Sequence, residues 1–357
     1  MLNIIKEKEF LEAYLIEIWK KKILGEEEYQ ILKMFTDSDV FKDIFGCSLL
    51  TEEKIEQWKK ELFWKYSNLE QQCRYRRCKI KSRIWSKLSQ YAINEDKYIQ
   101  GYFQKAVMYL LLRQIFQDKE KVLLEYILPK CVYRKIGKIE HTMLQSFSPV
   151  SPIEDLITGN IEKGRLYKRP PKDLRKKEEY NYGEDGKLLL YKHYREFEEK
   201  EDTIEFFFYE EEYMLRIEYE IFPEREKNFQ IIRIGMQKYN GEIIRRTETA
   251  ELYPEGIDVF YTEEFEFYEE GLKCINESYQ NFFIPEDNFS TMTNRREIYD
   301  FKKDKDGYLN GYTVSDWIGD GLIPSERNKH FYRIPERAKE DTQKESGRWR
   351  RPVCPDI

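Results

Sequence analysis

At 357 residues, with 36% charged, 40% hydrophobic and 15% aromatic side chains, the chain has material for two or three domains with real cores. Its 27 tyrosines exclude a disordered polyelectrolyte, and no apolar run reaches the length of about 18 residues that a membrane helix needs. The formal charge of −6 hides a division: residues 1–150 carry 27 Lys/Arg against 21 Asp/Glu, residues 180–290 carry 12 against 28, and the junction 161–177 carries eight against two.

Acids follow Met1 where a signal peptide has its apolar core, so a cytoplasmic location is expected. Six scattered cysteines (47, 73, 78, 131, 274 and 354) read as reduced thiols rather than a disulfide framework. Residues 4–24 predict an amphipathic helix, with Leu11, Tyr14, Leu15, Ile18 and Trp19 on its apolar stripe and Gly25 to end it. A second helix is expected from Glu26 and a short one over Asp39–Phe45. Thr51 is placed to cap the next, with Leu50 stapled against Ile55. Its stripe runs on through Trp58, Leu62, Tyr66, Leu69 and Cys73 towards Tyr91, with a break expected within 70–80. Asn94 is set to cap a helix over Glu95–Phe116, and a last one covers Lys119–Leu128 before Pro129.

Residues 131–180, with four prolines and the basic run, read as a linker or insertion. Beyond them the period changes. Leu188–Phe197, Thr203–Tyr209, Tyr213–Ile221, Phe229–Tyr239, Glu242–Leu252, Asp258–Tyr268 and Leu272–Ser278 read as strands, and the lack of helical crossovers makes them antiparallel. In Tyr213–Ile221 the odd positions are apolar and Arg216, Glu218 and Glu220 lie opposite, the pattern of a sheet packed on one face. Glu205–Tyr209 has aromatics on both sides and suits a strand covered twice, whereas Glu248 and Glu251 turn a later strand towards water. Asn240-Gly241 and Asp185-Gly186 are turn signals, and Gly271 is placed for the left-handed position of a short loop. The expected architecture is α+β: a helical domain over 1–130, the linker, a curved antiparallel β-meander domain over 181–300, and an irregular extension over 301–357, with Glu297–Lys302 and Tyr308–Val314 as isolated strand-like pieces.

No motif assembles a chemistry. His141, His193 and His330 have no metal spacing, and no phosphate loop, nucleophile elbow or dinucleotide fingerprint occurs, so no cofactor or metal is expected. Residues 302–313 match a calcium loop poorly, with Lys302 first and Thr313 last. Asp316 with Asp320, or His330 with Glu326, are the acid–base pairs a hydrolase would use. From Gln71 to Asn94 there are seven cations and no acid; on a helix Arg76, Lys79 and Arg83 share a face that can follow a phosphate backbone, or dock on the acidic sheet of the same chain. The acidic sheet itself interleaves carboxylates with tyrosines. Tyr209, Glu210, Glu211, Glu212, Tyr261, Glu263 and Glu264 form an acceptor-rich surface suited to a basic protein partner. The plain alternative is an acidic face that keeps a tyrosine-rich sheet soluble.

The segments Tyr182–Leu188 and Tyr239–Ile243, set in an acidic aromatic meander of about a hundred residues, resemble the immunity proteins of bacterial polymorphic and contact-delivered toxins. The resemblance implies a non-catalytic module that binds and neutralises a cognate toxin by occlusion. The long helical half departs from small single-domain immunity proteins, and a nucleic-acid-sensing defence protein is the alternative reading.

Overall fold

In the computed structural model the described residues are 4–46, 49–60, 62, 89–138, 165–196, 201–221, 229–241, 243–253, 256–280, 293–303, 309–320 and 326–333. A three-residue strand, β1 (Ile4–Lys6), precedes helix α1 (Glu7–Lys20), followed by α2 (Glu26–Asp37) and α3 (Asp39–Phe45). The Ser38 side chain accepts the Phe41 amide at 3.1 Å and so starts α3. β2 (Leu49–Thr51) pairs with β1, and Thr51 Oγ1 accepts the Lys54 amide at 3.3 Å, capping α4 over residues 52–60 as expected. Helix α5 (Ser89–Phe116) begins before Asn94, which therefore lies inside the helix rather than at its cap. α6 (Glu120–Ile127) completes the helical part. Leu11, Tyr14, Leu15 and Ile18 are buried, as are Trp58, Leu62, Tyr102, Ala106, Tyr109 and Leu110.

The sheet has thirteen strands among the described residues, all paired antiparallel. β3 (Tyr133–Lys138), β4 (Arg165–Leu166) and β5 (Glu178–Tyr182) form one flank. β6 (Leu188–Tyr194), β7 (Glu201–Glu210), β8 (Tyr213–Ile221), β9 (Phe229–Asn240), β10 (Ile243–Tyr253), β11 (Gly256–Tyr268) and β12 (Gly271–Gln280) follow in sequence order across the sheet. β13 (Thr293–Lys303), β14 (Leu309–Asp320) and β15 (Glu326–Arg333) continue that order to the far edge. The α+β class and the seven expected strands are present. The junction and the C-terminal part differ from expectation: β3, β4 and β5 come from the former, β14 and β15 from the latter, and all belong to the same sheet.

One face of the sheet meets the helices. α5 packs on β9 and β11, and a single hydrophobic core joins Leu11, Phe45, Tyr109 and Leu111 to Phe206, Ile217, Ile234 and Phe260. The helical and sheet portions share this core, and the sheet has two smaller clusters of its own, one around Phe301 and Tyr312 and one around Tyr180 and Phe207. Glu248 points into this interface, not to water: Tyr109 Oη donates to it at 3.0 Å and Lys105 Nζ pairs with it at 2.8 Å. The other face is also buried along β7 and β8, where Phe207, Met214, Arg216 and Glu218 are as enclosed as Ile217, so the sheet is not packed on one side only. Gly186 (φ +78°) and Gly241 (φ +62°) take the left-handed turn positions. Gly271 does not. It begins β12, and a Cβ there would run into the Phe301 carbonyl of β13, so close backbone approach explains the residue.

Candidate functional site

In an antiparallel ladder, directly paired residues project to the same face. The pairings therefore define rows running across the sheet on the face away from α5. One row is Tyr209, Met214, Gln237, Thr247, Glu263, Asn276, Glu297 and Asp316, taken from eight successive strands. Much of it is joined by hydrogen bonds. Tyr239 Oη donates to Gln237 at 2.6 Å, Thr247 Oγ1 to Glu263 at 2.7 Å and Asn276 Nδ2 to Glu297 at 3.2 Å, while Arg295 clamps Asp316 at 3.1 and 3.2 Å.

The row that contains Tyr191 is more highly charged. It runs Tyr191, Glu205, Glu218, Arg233 and Glu251. Arg233 bridges Glu218 at 2.8 Å and Glu251 at 3.2 Å. Between the two rows the Arg216 guanidinium passes over Gly235, its partner on β9, where a Cβ would lie 3.2 Å from Arg216 Nε. A glycine in mid-strand marks such an approach. Burial, then the neighbouring Glu218 charge, pushes the Glu205 carboxyl up to about 7, against the pull of Arg216 and Arg233. Burial likewise raises Glu178, although Tyr180 and Tyr191 donate phenolic hydrogen bonds to it at 2.5 and 2.8 Å.

The sequence-selected residues divide among different environments. Tyr209 and Glu263 share a row but are separated by β8, β9 and β10, about 19 Å at the usual strand spacing. Tyr209 is half-buried, donates to the Leu188 carbonyl at 3.0 Å and carries Lys187 5.2 Å from its ring; burial raises its pKa. Glu263 is buried and engaged by Thr247. Tyr261 is half-buried on the same face, whereas the exposed Glu264 projects to the other. Glu210 lies against the Ser38 hydroxyl at the start of α3, and burial raises its carboxyl. Glu211 (φ +49°) and Glu212 form the exposed two-residue turn between β7 and β8, with Glu212 3.2 Å from Lys238. Arg76, Lys79 and Arg83 lie outside the described residues, as do 304–308 of the calcium-like loop.

Asp316 is held by Arg295, and His330 and Glu326 stand four residues apart on β15, about 13 Å along a strand. Among the described residues no three His, Cys, Asp or Glu side chains converge as metal ligands. Cys131 and Cys274 are free thiols, the latter buried.

Topology, however, gathers acids that patch-by-patch reading kept apart. In a sheet whose neighbours are consecutive, every second turn falls at the same end. That end carries 183–187 (exposed Glu184 and Asp185), Glu211-Glu212, Gly241 and Glu269-Glu270 (both exposed). Successive turns lie two strands apart, about 10 Å. Just below them sit aromatic rings bearing cations: Lys135 over Tyr182, Lys187 over Tyr209, Lys238 over Tyr213 and Lys302 over Tyr268, at 4.8–5.2 Å. Glu184 and Asp185 were not among the acids selected from the sequence, and Glu269-Glu270 were read there only as a turn beside them. Counting hairpin parity along the predicted strands is the signal that finds them.

No family model, curated protein or solved structure matches the chain.

Proposed function

We propose that the chain is a non-catalytic protein-binding module of the cytoplasm, an immunity protein that neutralises a basic cognate toxin by occlusion. The observation that carries this reading is the acidic turn end of the sheet, where Glu184, Asp185, Glu211, Glu212, Glu269 and Glu270 stand exposed above tyrosines on both faces of the sheet. Such acids steer a basic protein into encounter, and rigid rings beneath them supply contact area at small entropy cost. Register shifts on β6, β8 and β10 support a curved meander, which would present the turn end as a concave rim. The buried acids Glu205, Glu218 and Glu263 serve the sheet on this reading and do not touch the toxin.

The test is untagged co-purification from the native cell at moderate salt, followed by co-expression with the retained protein in a killing assay. A basic protein should be retained, and it should kill only when this chain is absent. Charge removal at Glu211 and Glu212 should slow association and flatten its salt dependence with little change in dissociation. Full killing in the presence of the chain would defeat the reading.

A further inference from the structure

The flank of the sheet opposite β15 has the reverse charge. Residues 130–138 carry four Lys/Arg and no acid; residues 165–177 carry seven Lys/Arg and one acid. Both segments meet at β3 and β4, where Gly137 pairs with Leu166 and the Tyr167 amide donates to the Ile136 carbonyl at 2.9 Å. The second segment is fixed at its other end as well. The Lys176 amide bonds the Arg195 carbonyl at 3.0 Å, and the Lys177 carbonyl accepts the Tyr194 amide at 3.0 Å. Within it Asp173 is held by Arg175, the closest approach being 2.7 Å, and Lys176 pairs with Glu196. Lys168, Arg169 and Lys172 are exposed and make no ion pair among the described residues. Pro170 and Pro171 stiffen the backbone between them, so the three charges are presented with little ordering left to lose on binding. Beside them the Tyr167 ring is 36% exposed, with Lys177 Nζ 5.9 Å from its centre.

We infer that this basic flank is a binding site for single-stranded nucleic acid, with Lys168, Arg169 and Lys172 along the phosphates and Tyr167 as a stacking platform. The exposed ring selects the ligand class. Carboxylates of an acidic protein gain nothing from an aromatic face, whereas an unpaired base stacks on it, and paired bases inside a duplex do not present theirs. The flank is also an irregular basic segment along a sheet edge, not a helix or two-stranded ribbon shaped for a major groove. The site uses other residues than the acidic turn end and the cations of 74–87.

Fluorescence anisotropy of a labelled oligothymidylate of about 20 nucleotides, titrated with the full chain from low to moderate salt, tests the site. Binding should weaken steeply with salt. The K168E/R169E/K172E variant should lower the log–log salt slope by about 2, since each phosphate contact contributes about 0.7 on a single strand. Tyr167→Ala should weaken binding by about tenfold with an unchanged slope, and Tyr167→Phe should restore it. These side chains are exposed, so an unchanged thermal transition checks folding. No oligonucleotide binding at low salt overturns the proposal, as does undiminished binding by the triple variant. Equal displacement by polyglutamate also overturns it, because it would mark a site for acidic protein.

Discussion

Replacing Glu205 with glutamine should stabilise the protein in mildly alkaline solution and do little in acid. Glu205 and Glu218 are cross-strand partners on β7 and β8, each 6% exposed. Burial and the Glu218 charge lift the Glu205 carboxyl from 4.5 to about 7 in the folded protein. The folded state therefore holds this proton more tightly than the unfolded chain does. Its contribution is complete below the unfolded pKa and is lost as pH rises through the folded one. A gap of about 2.5 units, at 1.36 kcal/mol each, sets that loss at no more than about 3 kcal/mol. The glutamine variant has no proton to lose and escapes it. Urea unfolding of both proteins at about pH 5.5 and 8.5 should therefore show the E205Q difference moving in the variant's favour by about 1–3 kcal/mol at the higher pH. His193, raised by its hydrogen bond to Asp202, and Glu178 and Glu220, raised by burial, lose stability in the same direction. His193 and Glu220 are common to both proteins and cancel in the comparison, while the smaller coupling of Glu178 to Glu205 is removed with the Glu205 charge and acts in the variant's favour. A penalty for E205Q that is equal at the two pH values, or larger at the higher one, would refute the reasoning.

Two further substitutions probe the packing. Gly271→Ala drives a Cβ into the Phe301 carbonyl, a backbone atom that cannot swing aside, and should cost about 1–3 kcal/mol in a denaturant titration; an unchanged midpoint would show that the strands can separate freely. Lys119→Met leaves the Glu7 carboxylate, 0% exposed and 2.8 Å from Lys119 Nζ, without its cation, and should cost about 3–5 kcal/mol. Adding Glu7→Gln to that variant should recover part of the loss, and an additive double variant would contradict the pairing.

The readable parts of this sequence were those whose neighbours in space are also neighbours in the chain. The helical stripe of α1, the Thr51 cap of α4 and the hairpins from β6 to β12 declare themselves through spacing and turn residues. β5 did not, because its Glu178 and Glu179 read as part of a solvated junction. Their burial depends on remote groups: Tyr191 Oη donates to Glu178, and Tyr194 Oη to Glu179 at 2.9 Å, with Arg134 paired to Glu179. Glu248 was read as facing water for the same reason, since the groups that hold it, Lys105 and Tyr109, arrive from α5. β14 was legible only in its first half, as the strand-like piece Tyr308–Val314, and β15 not at all; β14 takes its register from β13 and β15 from β14 rather than from a strong pattern of their own. The acids of the candidate surface were visible singly, but only strand order says which of them share an end.

That order also separates the two proposed surfaces. The helices occupy one face of the sheet around β9 and β11, and both proposed surfaces lie away from that contact, one at the turn end and one at the β4 flank. Glu211 and Glu212 belong to the turn between β7 and β8, while Lys168, Arg169 and Lys172 follow β4 at the flank, beyond β6, β5 and β3. The gap from β7 to β4 is four strand spacings, about 19 Å, roughly twice the screening length at physiological salt. Charges that far apart across solvent couple weakly. Reversal of the flank cations should therefore leave capture through Glu211 and Glu212 intact, and removal of Glu211 and Glu212 should leave oligonucleotide binding intact. A variant on either side that abolished both activities would mean that one surface serves both partners, and that occlusion and nucleic-acid binding compete for it.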